Sequence, residues 1–376
     1  MSIFDRVRGW YGRFERPISS LSLVGGFVFD ALTLRRVDLF WDNIWVVGHL
    51  VIVTTCAIWL NLLDNEADEH GMRPEQNPQK LHFWLVNVMQ FFFGGILSTY
   101  LVFYFRSGTF AASWPFLLIL AAAFAANEAF KRHYARLAFQ ITLLFLAFYA
   151  FAIYLLPILT HEISTGIFIL SGIVSLAAIG LVIALLRTFA RERFAGKSGW
   201  LIMGVVVGVL ALINGLYFLH LIPPLPLSLM DGEIYQGFTV NEAGNYMAEH
   251  EDQSSIGIVQ TVKNFFNTNE TVHIVSGDPL FAYTSIFAPT ALDTDIIHEW
   301  QYYDATQGKW ITRGRITLPI TGGANNGWQT FSEEFGITAG RWRVNVLTPA
   351  GGVIGRLDFT VATQTAEPTL VAQSID

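Results

Sequence analysis

The long apolar stretches in the N-terminal half of this sequence contain three candidate polar residues for a membrane function: Asp30, Asp42 and His49. His49 follows Asp42 by seven residues, or about two helical turns, so one helix face would carry both. Such a pair in apolar surroundings could conduct a proton or an ion. The competing interpretation is structural, because Asp30 and Asp42 flank Arg35 and Arg36 and could pair with them to fix a tight turn.

The C-terminal half contains aromatic residues that could line a face for a sugar or a peptide: Trp300, Tyr302, Trp310 and Trp328. Aromatic side chains also dominate β-sheet cores, so burial is the competing interpretation.

The best acid–base candidates in this half are His298 and Glu299. Neighbours in a strand point to opposite faces, so these two would not form a working pair. The chain also lacks the H-E-x-x-H, G-x-S-x-G, P-loop and paired-cysteine motifs. We therefore assign no catalytic, metal-binding or cofactor-binding residue and no cofactor, and an enzyme is the less favoured class.

Apolar runs dominate the first 222 residues, and most approach the ~20 residues that span a bilayer as a helix. They cover 18–34, 39–63, 82–105, 109–127, 137–157, 163–186 and 200–222. The whole chain is 52% hydrophobic and 14% charged, against ~25% charged for a soluble domain. We predict a membrane all-α bundle of about seven transmembrane helices, with the short first run as its weakest member.

The basic residues favour one orientation of this bundle. With the N-terminus in the cytoplasm and seven spans, 13 of the 16 basic residues of 1–226 lie in cytoplasmic segments, and only Arg35, Arg36 and Arg106 lie outside. This is the asymmetry of the positive-inside rule. The C-terminal domain would then be periplasmic or extracellular.

The pattern changes after three prolines, Pro223, Pro224 and Pro226, which end the last helix. Residues 223–270 form a predicted linker that could hold an amphipathic helix, and 362–376 form a predicted disordered tail. Between them, 271–361 contain about seven short strand-like runs, which predict an all-β immunoglobulin-like sandwich. Trp342, Val344 and Phe359 are its predicted core.

Charge and small residues limit the partners. Residues 227–376 carry 7 basic and 17 acidic side chains, which argues against a nucleic-acid partner. Gly204 and Gly208 form a G-x-x-x-G pair that predicts close helix packing within the chain, with homo-oligomerisation as the second use.

Several segments resemble a known family: the runs 281–289 and 298–300, Gly327-Trp328, 340–344, and Gly355 with 359–361. They are similar to the C-terminal domain of unknown function numbered 2914, whose members are often attached to bacterial multi-span membrane regions. The resemblance implies a bacterial inner membrane with the β-domain in the periplasm. It implies no activity.

Two function classes remain. The favoured one is a non-enzymatic binding or assembly module, in which the bundle, in contact with the lipid bilayer, holds a periplasmic domain that engages a protein or glycan. The alternative is a transporter or membrane enzyme whose site lies in the bundle.

Overall fold

The computed structural model describes residues 25–33, 39–69, 80–107, 110–129, 136–194, 197–240, 246–251, 270–290, 292–324, 326–366 and 368–375. Residues 25–33 are helical and are called α1. The further helices are α2 (Phe40–Glu69), α3 (Lys80–Arg106), α4 (Phe110–Ala129), α5 (Leu137–Thr160), α6 (Thr165–Phe189) and α7 (Lys197–Phe218), with a short 3₁₀ turn at Arg191–Phe194. The chain divides into two compact units, one helical and one rich in β-strands that includes Pro223–Asp376.

Among the described residues, five helical segments are long and apolar enough to cross a membrane. They are Phe40–Asn65, Trp84–Phe105, Leu137–Thr160, Thr165–Phe189 and Ser198–Phe218. The other two predicted spans stay predictions: only 25–33 of the first run is described, and the apolar part of α4, Ser113–Asn127, is shorter.

Hydrogen bonds from buried hydroxyls join the central helices of this unit. Tyr100 and Tyr104 of α3 donate to the carbonyls of Ala147 and Ala150 in α5, at 2.9 and 2.7 Å. Ser171 of α6 donates to the carbonyl of Ala152 at 3.1 Å. In an apolar medium such bonds occupy polar groups that would otherwise be costly.

The G-x-x-x-G pair of α7 meets no neighbouring element among the described residues. Apart from the helix's own backbone, no described atom lies within 4 Å of a Cβ added at Gly204 or Gly208. Gly172 of α6 does permit close approach, since an added Cβ would lie 2.8 Å from the Tyr149 hydroxyl. Spacing alone does not say which face of a helix meets a neighbour.

Eleven strands are described in the second unit. They are β1 (Ser228–Tyr235), β2 (Gly237–Val240), β3 (Tyr246–Glu251), β4 (Glu270–Val275), β5 (Leu280–Phe287), β6 (Asp293–Asp304), β7 (Lys309–Thr321), β8 (Trp328–Glu334), β9 (Gly340–Leu347), β10 (Val353–Gln364) and β11 (Leu370–Ile375). They form sheets of order β1-β5-β8, β4-β10-β9-β6-β7 and β11-β3-β2.

The main core of this unit joins the first two sheets. Leu280 and Ala282 of β5 cluster with Trp300 of β6 and with Trp342 and Val344 of β9. Phe359 of β10 completes the cluster, 2% exposed. The three core residues predicted from strand alternation are confirmed.

The β-region extends beyond the predicted 271–361 at both ends. Strands β1 to β3 lie where a linker was predicted, and β11 pairs with β3 where a disordered tail was predicted. Strands β2, β3 and β11 have only 4, 6 and 6 residues, so each offers few positions in which an alternating pattern can be recognised. The predicted amphipathic helix falls within 252–269, outside the described residues.

Candidate functional site

The two faces of strand β6 have opposite chemistry. His298 and Trp300 point into the core and are 0% exposed. The imidazole contacts Thr284 Oγ1 at 2.9 Å and Ser332 Oγ at 2.8 Å, and Trp300 Nε1 donates to the same Ser332 oxygen at 3.0 Å. Burial lowers the pKa of His298 to about 4. This histidine is therefore a neutral, hydrogen-bonded core residue at physiological pH.

Glu299 lies on the opposite face, only 7% exposed, at the centre of a polar network. Its Oε1 accepts from Arg315 Nε at 2.9 Å, and Arg315 Nη2 lies 2.8 Å from the same atom. Its Oε2 accepts from Gln301 Nε2 at 2.8 Å and from Asn345 Nδ2 at 3.1 Å. These donors occupy both oxygens, so the carboxylate holds its neighbours in place.

Two amides extend the network to further arginines. Gln301 Oε1 accepts from Arg343 Nε at 2.7 Å and from Asn345 Nδ2 at 3.1 Å. Asn345 Oδ1 accepts from Arg356 Nε at 2.7 Å. One chain of hydrogen bonds thus runs across β7, β6, β9 and β10. We call this surface the polar face; it comprises Glu299, Gln301, Thr312, Arg315, Arg343, Asn345 and Arg356.

Aromatic rings support two arginines at one border of the polar face. The guanidinium carbon of Arg343 lies 4.1 Å from the centroid of the Trp310 ring. That of Arg341 lies 5.7 Å from the same centroid and 5.1 Å from that of Tyr303. Cation–π contacts of this kind restrain the side chains and favour their charged form.

The arginines also act on one another. Burial and, after it, the charge of Arg356 lower the pKa of Arg343 to about 10, against the opposite effect of Asp358 and Glu299. Arg343 still carries its proton at neutral pH. The polar face therefore holds like charges close together through fixed hydrogen bonds, a costly arrangement that functional sites often contain.

The four aromatic residues proposed from the sequence do not share one face. Trp300 is buried, and Tyr302 packs on the core residue Trp342 with ring centroids 5.2 Å apart. Trp310 lies beside the polar face. Trp328 is 40% exposed on β8, in the three-stranded sheet. Of the four, only Trp310 lies next to the polar face.

In the helical unit, the three polar residues proposed from the sequence have different surroundings. His49 is 6% exposed, and its Nδ1 lies 2.8 Å from the carbonyl of Trp45. Its ring packs against Phe92, with centroids 4.8 Å apart. Asp30 of α1 interacts electrostatically with His49, whereas Asp42 interacts with the buried Tyr154 of α5. The structure thus associates His49 with Asp30, and Asp42 with another part of the unit.

A second polar cluster in the bundle was not singled out from the sequence. Asp64, 0% exposed, lies 3.1 Å from His82 Nε2. One turn earlier on α2, Asn61 donates to Gln140 of α5 at 2.6 Å. Gln90 and Asn127 exchange two bonds, at 3.2 and 3.0 Å. The available signal was the set of amides inside apolar runs, but the pairing needs the helix arrangement.

Comparisons with known proteins add one clear match. The family model described as "Protein of unknown function (DUF2914)" matches residues 293–361. No curated protein matches the chain. Among solved structures, a Pseudomonas fluorescens alkylpurine DNA glycosylase AlkC bound to DNA containing an abasic site analog shares 10% identity, with 85% of this chain and 98% of that chain covered and a TM-score of 0.21. A TM-score this low does not indicate a shared fold.

The family match covers the whole polar face. Strands β6 and β9, which carry Glu299, Gln301, Arg343 and Asn345, lie within 293–361, and so do β7 and most of β10. The expected resemblance is confirmed for this part of the chain: its C-terminal region contains the domain of unknown function numbered 2914.

Proposed function

We propose that the protein is a membrane-anchored, non-enzymatic binding module whose β-unit engages a partner through the polar face. The observation that carries the proposal is the network around Glu299, which fixes the Nε groups of Arg315, Arg343 and Arg356 on the side of the sheet opposite the core. Core packing does not require three ordered arginines there. Ordered arginines at a surface are typical of recognition sites.

The arrangement favours binding over catalysis. Both oxygens of Glu299 accept hydrogen bonds from neighbouring side chains, so this carboxylate holds the network together and is not presented to a substrate. His298 lies on the core side of the same strand. His298 and Glu299 are therefore separated by the sheet.

For the placement in the cell, we propose a bacterial inner membrane, seven spans, a cytoplasmic N-terminus and a periplasmic β-unit. The distribution of basic residues along the first 226 positions supports this orientation. For the β-unit we propose an immunoglobulin-like sandwich, supported by a core to which two sheets contribute. A reporter active only in the cytoplasm, fused after Asp376, should stay silent; activity there would contradict the orientation.

Site-specific photocrosslinking in cells tests the binding proposal. A photoreactive amino acid at Thr317, exposed in β7, should give a covalent adduct. Thr317 pairs with Ile297 of β6. Ile297 lies two positions before Glu299 and therefore on the same face of the strand, away from the core. Thr317 thus borders the polar face. The control position is Glu333, exposed in β8 of the other sheet. Equal adducts from both positions, or none from Thr317, would contradict a specific partner at the polar face.

The second candidate function is transport or membrane catalysis within the bundle. The buried pair of Asp64 and His82, with Asn61 and Gln140 nearby in the same unit, favours it specifically. Ionisable groups inside a helical bundle often mark proton or ion paths. Substitutions at Asp64 and His82 distinguish this function from the first, as described in the Discussion.

A further inference from the structure

We infer that Arg343 and Arg356 form a binding site for a phosphate group on the polar face. The inference rests on the proposed binding function and names the chemistry of the ligand. Four features support it: the way each guanidinium is held, the positions of the two arginines on neighbouring strands, the local charge balance, and the geometry of the acceptor.

Each guanidinium is oriented through the same atom. Arg343 uses Nε to donate to Gln301, and Arg356 uses Nε to donate to Asn345, both at 2.7 Å. The described network therefore engages the inner nitrogen of each group, and the terminal nitrogens can form a two-pronged contact with an oxyanion. Because the side chains are already ordered, a ligand would lose little of its binding energy to immobilising them.

The two arginines lie on neighbouring strands, one row apart. Asn345 pairs with Arg356, and Arg343 pairs with Asp358, in the register of β9 and β10. The charge of Arg356 acts on Arg343 more strongly than that of Asp358 does. An anion held by both guanidinium groups would relieve their repulsion.

The local charge is opposite to that of the surrounding unit. Arg315, Arg341, Arg343 and Arg356 lie on this side of the sheet with Glu299 and Asp358, whereas 227–376 carries 7 basic and 17 acidic residues in all. Glu299 pairs with Arg315, and Asp358 lies opposite Arg343 in the register of β9 and β10. Four arginines against two carboxylates leave an excess of two positive charges here, and the acidic remainder of the unit would repel anions elsewhere.

A phosphate group matches two guanidinium groups better than a carboxylate does. A phosphate group is tetrahedral, with two non-bridging oxygens in a diester such as a lipid headgroup and at least three in a monoester or free phosphate. These oxygens point in different directions, so the group can contact two guanidinium groups at once. The two oxygens of a planar carboxylate pair with a single guanidinium group. The phosphate could be free inorganic phosphate or the headgroup of an anionic lipid, and the two sources require separate measurements.

Isothermal titration of the full-length protein in a neutral detergent with inorganic phosphate tests the site. We expect saturable binding with one site per chain that weakens as the ionic strength rises. Arg343→Gln and Arg356→Gln should each weaken it roughly tenfold to a hundredfold. Arg343→Lys keeps the charge without the fork and should also weaken it. The matched control is Arg313→Gln, which removes a charge from the same sheet at an arginine that lies over Tyr302.

Lipid binding is measured with the full chain in nanodiscs of phosphatidylcholine, titrated with vesicles of phosphatidylcholine alone or with added phosphatidylglycerol. Arginine-dependent binding to phosphatidylglycerol without binding of inorganic phosphate would assign the site to a headgroup. No saturable binding of either, or equal losses in Arg343→Gln and Arg313→Gln, would overturn the inference. If phosphate binding fails but the photocrosslinked adduct at Thr317 still forms, the phosphate site is contradicted and the binding function of the polar face stands. If both phosphate binding and the adduct are absent, both proposals are contradicted.

Discussion

Asn345 Nδ2 in β9 donates to Glu299 Oε2 in β6 at 3.1 Å, although the two residues lie 46 positions apart in the chain. This bond joins the half of the network that holds Arg315 to the half that holds Arg356. The polar face is therefore one connected unit whose parts should respond together to substitution.

Removing the carboxylate at the centre of the network should destabilise the β-unit. Glu299→Ala removes the acceptor that Arg315, Gln301 and Asn345 share, so we expect a loss of roughly 1–3 kcal/mol in the free energy of unfolding. Urea unfolding of residues 223–376, which we expect to fold alone with a strand-dominated circular-dichroism spectrum, measures it. Glu333→Ala, an exposed carboxylate in β8, should change stability by less than ~0.5 kcal/mol. Equal effects of the two substitutions would contradict a structural role for the network.

Truncating the central core tryptophan should cost more. Trp342 is 1% exposed, and its Nε1 donates to the carbonyl of Thr338 at 2.7 Å. Trp342→Ala should therefore lower the free energy of unfolding by ~3–5 kcal/mol. Trp328→Ala, at a ring that is 40% exposed, is the comparison and should cost less. A loss below ~1 kcal/mol at Trp342 would show that this face is not the core.

Acid should destabilise the β-unit through His298. Its pKa is lowered to about 4 in the folded state by burial, whereas the unfolded value is about 6.5. Above pH ~6.5 the residue is neutral in both states and adds no pH dependence. Between pH ~6.5 and ~4 the unfolded state binds the proton and the folded state does not, so stability falls as the pH falls, by roughly 3 kcal/mol in total.

Urea unfolding at several pH values measures this effect as a difference between two proteins. His298→Gln removes the titrating group, so the stability of the wild type relative to the variant should be constant above pH ~6.5 and should decline below it. Carboxylates that titrate in the same range affect both proteins and cancel. A difference that stays constant down to pH ~4 would show that His298 titrates normally.

The sequence predicted what depends on local pattern. Alternation in β9 identified Trp342 and Val344 as core, and both are buried. The same alternation placed Arg343 and Asn345 on the other face, but Asn345 is only 4% exposed. Its burial depends on the pairing of β9 with β6 and β10, and register between strands that are distant in the chain cannot be derived from a period of two.

The bundle shows the same limit. Asp42 and His49 share a helical period, yet the structure associates His49 with Asp30 on α1. Asp64 follows the apolar run of α2 and carried no distinguishing pattern, although it is fully buried near His82. Helical spacing gives the face of one helix, whereas the neighbour on that face depends on the arrangement of all of them.

The most direct test of the account is complementation. Variants of each unit are expressed in a strain that lacks the protein, and recovery from whatever phenotype that strain shows is measured. We expect Arg343→Glu with Arg356→Glu to abolish complementation, because reversing both charges removes the binding chemistry of the polar face. His49→Phe, and Asp64→Asn with His82→Gln, should complement fully at equal protein levels. The opposite pattern, with inactive bundle variants and a dispensable polar face, would contradict the account and make the bundle the working part.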